Sequence, residues 1–83
     1  MDAKAILNLF RARTGPMTAE LEHGAGLSQV QLRRVARHGL AFTGGYIPDL
    51  ATRVTIHVDH YAVEGVISAR NDVRASLSFL RPA

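Results

Sequence analysis

Apolar residues recur at helical spacing near the start of the chain and alternate near its end. Across residues 2–13, Ala3, Ile6, Leu7 and Phe10 share one stripe while Lys4, Asn8 and Arg11 fall off it, the pattern of an amphipathic helix. Asp2 is placed to cap its start, and Thr14, Gly15 and Pro16 end it. Thr18 then reads as the N-cap of a short second helix, with Glu20 and Glu22 in its first turn and Gly24 and Gly26 stopping it. Ser28 caps a third helix, Gln29 to His38, which Gly39 closes.

After residue 40 the period changes. Gly44, Gly45 and Pro48 suggest a strand, a tight turn and an exposed loop. Val54, Ile56 and Val58 alternate with Thr55, His57 and Asp59, and Val73, Ala75, Leu77 and Phe79 alternate with Arg74, Ser76 and Ser78. A further strand is expected near 62–68, joined to the last by a turn at 70–72. Val63, Val66, Ile67, Val73, Leu77 and Leu80 also fit a helical stripe interrupted by Gly65. Residues 60–80 therefore stay open between strands and a helix, with strands favoured.

Three helices followed by a glycine turn and strands is the order of a winged helix-turn-helix, an α+β fold. The expected organisation is a single domain over 1–83. Residues 2–40 are helical with the helix-turn-helix at 18–38, residues 41–53 form a wing or loop, and residues 54–80 are β-rich and suited to dimerisation. Leu21, Ala25, Gly26, Leu27, Leu32 and Val35 fall where such a motif needs a turn glycine and residues pinning one helix to the other.

Composition narrows the class. With 83 residues, 47% of them hydrophobic, the chain suits one small globular domain. Cysteine is absent, so neither a disulfide framework nor a thiolate zinc site can add stability, and small domains of this kind often self-associate. No apolar run approaches a membrane span and no signal-peptide pattern opens the chain, so the expected setting is cytoplasmic, with no membrane partner. The net charge of +3 is localised. Charges cancel over 1–27 and over 54–83, leaving Arg33, Arg34, Arg37 and Arg53 against Asp49 alone. Such a basic segment suits a polyanion.

On a helix over 28–38, Leu32, Val35, Ala36 and Gly39 share one side, while Val30, Arg33, Arg34 and Arg37 lie opposite, flanked by Gln29 and Gln31. Arginine can pair with guanine, glutamine with adenine, and Val30 could meet a thymine methyl. Ser28 and the helix N-terminus could hold a phosphate, and Arg53 could touch backbone as a wing residue. The stretch from Gly15 to Pro48, with its "GLS", "QLRR", "GL" and "GGY" elements, resembles the N-terminal winged helix of AbiEi-type antitoxin regulators. That resemblance implies DNA binding through the second helix of the motif, at Ser28, Gln31, Arg33 and Arg34.

The expected function is a small sequence-specific DNA-binding regulator, a repressor acting as a homodimer on double-stranded DNA. The alternative is a protein-binding adaptor or inhibitor that uses the fold without DNA, its partner unknown. "HVDH" at 57–60 places only His57 and Asp59 on one face of a strand, too few ligands for a metal site. Serines 28, 68, 76 and 78 show no base-and-orienter pattern. No enzyme activity, cofactor or metal is expected.

Overall fold

The computed structural model describes residues 2–82 of the chain. One helix, α1 (Asp2–Ala12), precedes six strands: β1 (Met17–His23), β2 (Gly26–Val35), β3 (Gly39–Gly44), β4 (Arg53–Val58), β5 (Tyr61–Arg70) and β6 (Arg74–Phe79). All neighbours are antiparallel, and the sheet closes into a barrel in the order β1-β2-β3-β6-β5-β4. Each strand is paired on both sides within the chain, so the barrel offers no free edge.

The first helix forms where its stripe demands, burying Ala3, Ile6 and Leu7. It touches β2 and β5, which stand on opposite sides of the ring, so it lies across one mouth of the barrel. Asp2 Oδ2 accepts a hydrogen bond from the Ala62 amide at 3.0 Å, and Arg13 meets Asp59 at 3.6 Å, tying both ends of the helix to that rim. The other mouth is closed by residues 45–52, which cross it on their way from β3 to β4 and bury Ile47 and Pro48. Between these plugs, Phe42, Met17, Leu21, Ile56, Ile67 and Leu77 fill the interior.

The winged helix-turn-helix is overturned by this barrel. The expected second helix is β1, where Met17, Ala19 and Leu21 are buried and Thr18, Glu20 and Glu22 face water. Seven residues of period two outweigh one capping threonine and two acidic residues. The expected third helix is β2, and its helical look has a specific cause. Pairing with β3 slips between Leu32 and Arg34, a bulge that places one extra residue in the strand. Leu32 and Val35, both buried, end up three positions apart, the spacing of a helical turn. Gly24 and Ala25 form the hairpin turn between β1 and β2, and Gly26 follows at φ 129°, a backbone that favours glycine.

The resemblance to AbiEi-type regulators falls with the same finding, since its "GLS" and "QLRR" lie along a strand. The reading as a helix-turn-helix repressor falls too. The segment 41–53 is most of β3 plus the crossing connection rather than a wing. Residues 61–70 and 74–79 are strands, not a helical stripe, and Val73 belongs to the turn between them.

Candidate anion-binding face

Outside, the barrel has two chemically different walls. Strands β2, β3 and β6 contain Arg33, Arg34 and Arg74 and no aspartate or glutamate. The β2–β3 connection adds Arg37 and His38, again without an acid. None of the four arginines lies within ion-pair distance of a carboxylate among the described residues.

Local structure explains how they gather. Consecutive residues of a regular strand point to opposite faces, so Arg33 and Arg34 would normally be split between core and solvent. The bulge leaves both exposed. Arg33 Nε donates to Thr43 Oγ1 at 3.0 Å, and Thr43 stands in register with Arg74 on its other side. Arg33 and Arg74 thus flank one threonine. One rung further along, Arg34 is in register with Ala41, and Ala41 with Ser76.

On that rung lies a shallow groove of about 320 Å³, with Arg34 and His38 on one side, Ser68, Ser76 and Ser78 on the other, and Ala41 in its floor. Gly39 makes the floor possible. A Cβ there would collide with the backbone carbonyl of Leu77, so only glycine lets β3 lie this close to β6. The groove presents guanidinium, imidazole and hydroxyl groups and no carboxylate, a donor set suited to an anion.

The structure thus joins Arg33 and Arg34 with Arg74 across β3, leaves Arg37 in the turn at the end of the same wall, and separates the other candidates from them. Val30 is in the core at 2% exposure and meets no ligand, because the alternation of β2 turns it inward. Gln31 Nε2 donates to Thr18 Oγ1 at 3.3 Å, and Gln29 is exposed opposite Glu20 on β1. Arg53 lies on the other wall, paired with Glu64 at 3.2 Å. Ser28 sits at the mouth closed by residues 45–52, 2.8 Å from His23 Nε2. Sequence reasoning missed Arg74, His38 and Ser76. The available signal was the absence of any acid in the alternating segment 74–79, which summing charge over 54–83 concealed.

The Ser28–His23 pair invites comparison with a nucleophile and its base, but its proton arrangement is wrong. The Ala25 amide donates to His23 Nδ1 at 3.2 Å, so in the neutral ring Nε2 carries the proton and donates to Ser28. A base would have to accept there. In "HVDH", His57 pairs with Glu22 at 2.7 Å, Asp59 and His60 form the turn, and the His60 ring lies 4.5 Å from that of Tyr61. No three potential metal ligands cluster among the described residues.

No family model, curated protein or solved structure matches this chain. The four-arginine wall is therefore read from its own geometry. No helix among the described residues is long and apolar enough to cross a membrane.

Proposed function

We propose that this protein is a binding module that captures a nucleotide ligand through its phosphates on the wall formed by β2, β3 and β6. The observation that carries this reading is the set Arg33, Arg34, Arg37 and Arg74, gathered on strands and a turn that contain no carboxylate. Phosphate oxygens accept from guanidinium forks, and such charge-assisted bonds are about twice as strong as neutral ones. The rungs of Thr43 and Ala41 are two residues apart on β3, roughly 7 Å by strand geometry, comparable to the separation of successive phosphates in an extended nucleotide chain. Arg34 beside the groove adds a planar surface on which a base can stack.

Small nucleotides and single-stranded nucleic acid share this chemistry, and length distinguishes them. Duplex DNA is a weaker fit, because among the described residues no helix or ribbon protrudes to enter a groove; it would engage only through backbone charge.

The test is calorimetric titration with a mononucleotide, a dinucleotide, single-stranded oligonucleotides and a duplex, at two salt concentrations. Heparin serves as a polyanion without bases. Binding should weaken with salt, and Arg34→Ala or Arg74→Ala should each cost about 1–3 kcal/mol. Saturation by the dinucleotide points to a small ligand, and affinity that grows with length points to single-stranded nucleic acid. Failure of every nucleotide ligand, or binding unchanged in both arginine variants, overturns the reading.

A further inference from the structure

Two register slips interrupt the pairing of the described strands, one in β2 between Leu32 and Arg34 and one in β5 between Ile67 and Ala69. They fall beside the same rung. Arg34 on β2 pairs with Ala41 on β3, Ala41 with Ser76 on β6, and Ser76 with Ala69 on β5. Each slip inserts one residue next to that rung, Arg33 on one side and Ser68 on the other. Each also leaves two consecutive side chains exposed on the outer wall, Arg33 with Arg34 and Ser68 with Ala69. Bulges re-aim side chains and gather beside binding sites. Here they frame the groove, with Arg34 at one edge and Ser68 at the other.

Ser68 is set apart by the direction of its hydrogen. Its Oγ donates to the Ser76 carbonyl at 3.2 Å, and a carbonyl can only accept, so that hydrogen is committed to β6. What Ser68 offers a ligand is therefore oxygen lone pairs. An ionised phosphate oxygen has no hydrogen to give them, whereas a sugar hydroxyl has one. Arg34, which carries donors alone, suits the phosphate instead. At this rung β2 and β5 stand three strand spacings apart, roughly 14 Å, which leaves room for guanidinium, phosphate and sugar in sequence. In a nucleotide chain the 3′ oxygen is esterified, so the 2′-hydroxyl is the donor that the sugar keeps.

We propose that the β5 side of the groove is a ribose subsite, in which the ligand's 2′-hydroxyl donates to Ser68 Oγ. The module then selects ribonucleotides over deoxyribonucleotides, because the 2′-hydroxyl is what separates the two. This rests on the nucleotide reading of the arginine wall and adds the sugar that the wall prefers.

Calorimetric titration of the full chain with a ribodinucleotide and its 2′-deoxy and 2′-O-methyl counterparts tests this, base and charge being held constant. The 2′-O-methyl sugar keeps the oxygen and loses the hydrogen. The parent should bind the ribose ligand about fivefold more tightly than either counterpart, the worth of one neutral hydrogen bond. Ser68→Ala should keep the parent's circular dichroism spectrum and salt dependence, and should bind all three ligands as the parent binds the deoxy one. Equal binding of the three by the parent, with affinity still lost in Arg34→Ala, overturns the ribose subsite and leaves the arginine wall standing. A ribose preference that survives in Ser68→Ala, or a 2′-O-methyl ligand bound as tightly as the ribose one, overturns the role of Ser68 as acceptor. Failure of all three to bind removes the nucleotide reading and the subsite with it.

Discussion

On the wall made by β1, β4 and the first half of β5, basic side chains stand beside carboxylates. Arg53 meets Glu64 at 3.2 Å and His57 meets Glu22 at 2.7 Å. On the wall of β2, β3 and β6, Arg33, Arg34, Arg37 and Arg74 meet none among the described residues. The two walls enclose one apolar core and share one strand geometry, so folding demands neither charge pattern. Exposed ion pairs contribute about 0–1 kcal/mol each, and a cluster of like charges works mildly against the compact state. Arg53 on the first wall already has its carboxylate, whereas the arginine wall gains most when an anion joins it.

The sharpest way to break the comparison is to spoil the surface on which the unpaired charges are arranged. Gly39→Ala would drive a methyl group into the Leu77 carbonyl, and backbone cannot rotate away as a side chain can. The expected loss is about 3 kcal/mol, the upper range for overpacking, read as a lowered midpoint in urea. An unchanged midpoint would mean that β3 and β6 are further apart than described, and the shape of the groove would be wrong.

Some of this was legible in the residues. The stripe Ala3–Ile6–Leu7 gave α1, and the strict alternation of Val54, Ile56 and Val58 gave β4, because each element keeps one period from end to end. The charge excess at Arg33, Arg34 and Arg37 falls on an acid-free segment of the barrel, whereas Arg53 lies on the other wall beside Glu64. The failure at residues 17–35 has two physical sources. Thr18 and Ser28 are good helix caps in isolation, yet a closed barrel uses them as strand positions, and local propensity yields to tertiary pairing. The bulge at Arg33 and Arg34 shifts the inward phase of β2 and imitates a helical turn. Register across strands, which brings Arg74 beside Thr43, depends on non-local pairing that a single chain does not spell out.

A subtler break separates two arginines four positions apart. Arg70 is 28% exposed at its side chain and bonds to the carbonyls of Ile47 and Pro48 and to Asp49, fastening the crossing segment to the barrel. Arg74 holds no carboxylate among the described residues. Arg70→Ala should therefore cost about 2 kcal/mol, the worth of hydrogen bonds from a charged donor. It should also speed amide exchange at Ala51, which bonds to the Ile67 carbonyl at 2.8 Å. Arg74→Ala should stay within about 0.5 kcal/mol of the parent in urea while losing ligand affinity. Equal destabilisation by the two would show that the unpaired wall is structural after all.

The smallest change in stability gives the finest discrimination. Ser76 occupies the centre of the arginine wall, in register with Ala41 on β3, which pairs on its other side with Arg34 on β2. Ser76→Glu would give this wall the carboxylate that Glu64 supplies to Arg53 on the other. By analogy with that exposed pair, whose side chains are 66% and 55% exposed, the change in unfolding free energy should be a few tenths of a kcal/mol. Nucleotide binding should nevertheless fall at least as far as in Arg34→Ala, because the new carboxylate both neutralises a guanidinium and repels phosphate from the groove. Titration calorimetry and urea unfolding of the same variant separate these effects. Retained affinity in a folded Ser76→Glu protein would move the ligand off this groove, whereas lost affinity at unchanged stability would establish that the missing carboxylate is what distinguishes the two walls.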